Sequence, residues 1–175
     1  MENNTLFDER SIDVLLNTAK TEYDNENSRV SVIDSKTGIS LPIIAAYFLA
    51  LAQMNDYKSI FMSKINSFSD IIIPSIMFLS YTISLVLVIL AVFFMSRVIM
   101  THGYSTINPS DLYDNEYLTE HPVFITTKLI TLYISASTFN KKQNSLRVKL
   151  YRRGWLFTAI SIFLFVIYII LKNNI

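Results

Sequence analysis

The sequence predicts an all-α integral membrane protein: about three transmembrane helices with a juxtamembrane cytosolic helical portion. Two observations carry this. Ile71 to Met95 runs for 25 residues without a charge, and a bilayer core about 30 Å thick needs roughly 20 such residues as a helix. The chain also has only 3 Gly and 4 Pro in 175 residues, which favours long helices over strands and turns.

Residues 1–28 read as an N-terminal cytosolic amphipathic helix and a joint. Leu6, Ile12, Leu15, Leu16, Ala19 and Tyr23 recur at helical spacing against Asp8, Glu9, Asp13, Lys20 and Glu22. The Asp24–Ser28 run then breaks the pattern, with Ser28 placed to cap the next helix. Residues 29–100 hold the first two transmembrane helices. The first is the weaker: Ile39 to Met54 is only 16 residues, so it spans only by starting near Arg29 and carrying Asp34 and Lys36 at its cytosolic end, where Lys can snorkel. Pro42 is a candidate kink. The second continues past Met95 through Arg97 to Met100, long enough to emerge from the hydrocarbon.

Residues 101–153 form a cytosolic loop and a basic helix. The acids Asp111, Asp114, Glu116 and Glu120 predict a short helix capped near Ser110. Their spacing fits no calcium loop. From Phe124 the chain reads as one long helix, apolar at first, then strongly basic from Asn140 to Arg153. Residues 154–175 are the third transmembrane helix, with Trp155 where an interfacial aromatic belongs.

Lysine and arginine give the topology. With the N-terminus inside, the cytosolic segments hold twelve: Arg10, Lys20, Arg29, Lys36, Arg97 and seven from Lys128 to Arg153. The outer segments hold three, Lys58, Lys64 and Lys172. This predicts a multi-pass membrane protein with a cytoplasmic N-terminus.

Catalysis has no visible carrier. Cysteine is absent and there are two histidines, so thiolate and histidine-cluster chemistry are excluded. No phosphate loop or nucleophile elbow is present, and no cofactor is expected. Two elements stand out instead. Asp34 and Lys36 lie at the mouth of the first span, either as interfacial anchors or as contacts to other helices or subunits, with Asp34 reaching toward Arg29, Arg97 or the basic stretch. A charge there is costly unless paired or wet. The basic stretch reads either as a topology signal that attracts anionic lipid or as an anion site, with Arg147 and Lys149 beside Asn140 and Asn144. Nucleic acid is not expected, because the bases hug a bilayer. Ser75, Ser80, Thr82 and Ser84 are expected to face neighbouring helices or a pore.

In their order these features resemble the transmembrane effectors of bacterial nucleotide-signalling antiphage systems, the Pycsar effector family and the related SLATT family. An N-terminal helix leads to an Asp-x-Lys-[Ala/Gly] element, here Asp34, Lys36 and Gly38. Two spans follow, then a helix with Asn140, Lys141, Lys142, Asn144 and Lys149 that runs through Leu150 to Trp155 into a further hydrophobic helix. The resemblance implies an effector, inert until a partner cyclase makes a cyclic nucleotide during infection, that then forms a homo-oligomer, breaches the bacterial inner membrane and stops growth. The alternative is a non-toxic membrane scaffold or accessory subunit that recruits a soluble partner through residues 101–153.

Overall fold

A computed structural model describes residues 9–54, 69–101, 103–107 and 121–173. They form three helices: α1 (Glu9–Gln53), α2 (Ser69–Met100) and α3 (Pro122–Asn173), of 45, 32 and 52 residues. There is no strand among the described residues. All three helices are long and apolar enough to cross a membrane. At 1.5 Å per residue they extend about 67, 48 and 78 Å, so α1 and α3 far exceed a hydrocarbon core. The expected loop helix near Ser110, its four acids, and Lys58 and Lys64 lie outside the described residues.

One expectation is overturned. No joint separates residues 9–28 from the first span: α1 passes through Asp24–Ser28 without interruption. Short polar side chains disfavour helix when they bond their own backbone. Here the Glu26 carboxylate and the Asn27 amide oxygen instead accept hydrogen bonds from asparagines of α3, and Glu26 pairs with Arg29 one turn on. Ser28 is no cap; its carbonyl accepts from the Ser31 hydroxyl. Pro42 also lies inside α1 without ending it. Pro122 opens α3, where its missing N–H costs nothing.

The chain divides into two compact units: residues 1–33 with 101–146, and residues 34–100 with 147–175. The borders at 33/34 and 146/147 fall within α1 and α3, and the border at 100/101 falls at the end of α2. In the first unit Ile12, Ala19, Ile33 and Ala136 are buried, and Tyr23 meets Tyr133 edge to face at 5.5 Å between centroids.

The second unit is a three-helix bundle. Ser40 meets Tyr151 and Tyr47 meets Ser161, so α1 and α3 run parallel. Tyr81 meets Leu51 and Ser84 meets Tyr47, so α2 runs against them. The core joins Ile44 and Leu51, Met77, Tyr81, Val88, Ala91 and Met95, and Phe165 and Tyr168. The outside is apolar as well: Ile39, Ile43 and Leu49, Val86 and Phe93, Leu156, Ile160 and Phe163 are all exposed. So broad an exposed apolar surface fits lipid, not water. Lipid is as apolar as leucine, so dispersion and polar contacts must hold such a bundle. Close packing is visible at Gly154, where a Cβ would sit 3.0 Å from the Met95 side chain.

Candidate functional site

Along α3 one stripe of buried positions, completed by half-buried Tyr151, alternates by three and four: Ser137, Asn140, Asn144, Arg147, Tyr151, Gly154, Thr158, Ser161, Phe165 and Tyr168. That is the 3.5-residue period of a left-handed helix pairing. What is unusual is its chemistry, since most of the stripe is polar.

In the second unit the stripe begins at Arg147, 1% exposed. Its Nε donates to the Val98 carbonyl at 3.0 Å, within the last turn of α2, where carbonyls lack helix partners. Its Nη2 donates to the Asp34 carboxylate of α1. The two ends of this ion pair are unequal: the Arg147 side chain is 2% exposed and that of Asp34 is 52%. A single guanidinium thus ties three helices together, while its counter-ion stays half exposed. Of the partners expected for Asp34, the basic stretch supplies the one observed.

Deeper in the bundle, Ser84 and Ser161 bond reciprocally. Each hydroxyl lies within reach of the other's carbonyl, at 2.9 and 2.8 Å, and the two oxygens are 2.9 Å apart. Tyr47 Oη adds contacts of 3.4 Å to Ser84 and 3.2 Å to Ser161. Tyr81 donates to the Leu51 carbonyl at 2.9 Å, in the last turn of α1. Of the four hydroxyls expected to face neighbours, Ser80 and Ser84 are buried. Ser75 and Thr82 instead bond back to the carbonyls of Ile71 and Phe78, which hides their polarity from lipid.

In the first unit the stripe carries Asn140 and Asn144, both 0% exposed. Asn140 accepts from the Ser105 N–H at 2.9 Å and donates to the Ser105 carbonyl at 3.2 Å and to the Asn27 side chain at 3.4 Å. Asn144 donates to the Glu26 carbonyl at 2.9 Å and carboxylate at 2.8 Å, and accepts from Tyr104 Oη at 3.2 Å. The amides thus strap residues 104–105 and the Glu26–Asn27 turn onto α3. No buried side-chain nitrogen or oxygen lacks a hydrogen-bond partner among the described residues.

Six residues stand out in the sequence, and the structure divides them. Asp34 and Arg147 are joined; Asn140 and Asn144 share one network. Lys36 and Lys149 are exposed and belong to neither cluster. Sequence reasoning overlooks Glu26, Tyr47, Tyr104, Ser105 and Ser161. The three-four alternation on α3 is the signal that finds Ser161; nothing comparable marks Tyr104 or Ser105.

Compared with known proteins, the chain matches no family model, no curated protein and no solved structure.

Proposed function

We infer that the protein is a signal-responsive membrane effector of the antiphage kind. It rests as a packed bundle in a bacterial inner membrane with its N-terminus in the cytoplasm. On a cyclic-nucleotide signal from a partner cyclase it assembles with further copies and breaches the bilayer. The observation that carries this reading is the Arg147–Asp34 pair. A buried guanidinium held by a half-exposed carboxylate adds little net stability while intact, but leaves an uncompensated buried charge once broken. Such a contact suits a two-state device whose helices part together.

Asn140 and Asn144 suit the sensing side of that device, because the same amides that hold residues 104–105 could be satisfied by a polar ligand in their place. Moving a resting population from 1:99 to 99:1 takes about 5.5 kcal/mol of differential binding, which several subunits sharing one transition can supply together.

The test is membrane potential in bacteria expressing the protein, with and without a co-expressed nucleotide cyclase, beside an Asp34→Ala variant. Depolarisation that needs the cyclase in the unaltered protein and no longer needs it in the variant is the expected result. Intact potential under every condition overturns the effector reading in favour of the scaffold.

A further inference from the structure

The bracketing contacts of the second unit fix a level across its three helices. Arg147 meets Asp34 and Val98, Tyr151 meets Ser40, and Gly154 packs on Met95. Lys36 lies between Asp34 and Ser40, Arg97 between Met95 and Val98, and Lys149 just before Tyr151. Arg152 and Arg153 follow within one turn. All five cations are exposed, and among the described residues of the bundle the one acid at this level is Asp34, already engaged by Arg147. Lys36, Lys149, Arg152 and Arg153 make no ion pair among the described residues. The opposite end carries Lys172 as the one base of the described residues.

Immediately beyond this belt the exposed surface turns apolar on each helix: Ile39 and Ile43, Phe93 and Leu90, Leu156 and Ile160. Trp155, 38% exposed, stands on the border, where an indole favours the headgroup layer.

We propose that this belt is a binding surface for the phosphodiester headgroups of anionic phospholipid, gathered around the bundle by Lys36, Lys149, Arg152 and Arg153 with Trp155 setting the depth. The charge excess matches the ligand's sign, and the apolar surface below the belt receives its acyl chains, which a soluble anion lacks. The proposal does not depend on the effector reading; it follows from the bundle alone.

The test uses the full chain, purified in detergent and stripped of lipid. Thermal unfolding is followed while phosphatidylglycerol, phosphatidylcholine or inorganic phosphate is added at matched concentrations. Phosphatidylglycerol should raise the midpoint, with a shift that shrinks as salt is added, while the other two leave it in place. The Lys149→Gln/Arg152→Gln/Arg153→Gln variant should need roughly a hundredfold more phosphatidylglycerol for the same shift. Lys172→Gln should titrate as the unaltered protein does. An unchanged titration in the triple variant overturns the proposal. So does equal stabilisation by phosphatidylcholine, which would mean acyl chains alone suffice, or by phosphate, which would mean a soluble-anion site. Should the triple variant not fold, the lipid retained by the unaltered protein decides: enrichment of anionic phospholipid over the source membrane supports the belt, and no enrichment overturns it.

Discussion

The two units solve one problem with different chemistry. Both bury polar groups along α3, but the first, beside Ser137, relies on the amides of Asn140 and Asn144, and the second, past Arg147, relies on hydroxyls alone. Asparagine has four hydrogen-bonding sites and cannot satisfy them on its own helix, so it needs partners from elsewhere; Asn144 takes Glu26 and Tyr104. Serine and threonine can return to the carbonyl four residues back, as Ser75, Thr82 and Thr158 do. A hydroxyl is therefore tolerable in lipid even when it loses its neighbour, and an amide is not. The first arrangement enforces one partner choice, and the second lets helices slide or part at low cost.

Substitutions at the two kinds of contact should differ accordingly. The largest effect belongs to the charge between them in kind: Asp34→Ala leaves the Arg147 guanidinium buried without its counter-ion. It should cost about 3 kcal/mol, near the lower end for breaking a buried pair because the carboxylate is half exposed. Asp34→Leu with Arg147→Met should recover most of that loss in denaturant titration of the detergent-solubilised protein, since neither buried charge remains. Non-recovery would show that the Val98 carbonyl contact carries the stability instead.

Asn144→Leu should come next, at about 2 kcal/mol, by stripping partners from Glu26 and Tyr104. Amide hydrogen exchange should rise at residues 103–107 and leave Ser84 to Met95 protected. An equal rise in both would break the distinction between the two units. Gly154→Leu, which drives a side chain into Met95, should cost about 1–3 kcal/mol. Ser84→Ala should be the mildest, about 0.6 kcal/mol, the mean for hydrogen bonds between membrane helices. A cost for Ser84→Ala as large as that for Asn144→Leu would refute the contrast.

Most of the fold is legible in the chain, because length and apolarity are additive properties. Twenty-five uncharged residues announce α2, and the scarcity of Pro and Gly announces α3. The continuity of α1 is not legible: the residues that rescue Asp24–Ser28 lie 113 to 118 positions away, and local propensity cannot count them. The site is legible in half. Asn140, Asn144 and Arg147 share the buried phase of α3, while Lys149, two positions past Arg147, is turned roughly 200° away from it. Composition does not separate these two cations; phase along the helix does.

The inequality among the spans bears on how the protein is made. The most apolar window of α1 has a mean hydropathy of 1.4, against 2.6 and 2.5 for the later helices, and it enters the membrane with Asp34 beside it. Its partner Arg147 is synthesised 113 residues later, which at about 5–20 residues per second is a delay of roughly 6 to 23 seconds. Through that interval the first helix is held by its own weak apolarity and by α2. Its commitment to the bilayer is provisional until the last helix emerges, so a ribosome stalled before Arg147 should leave a nascent chain whose first segment is still extractable.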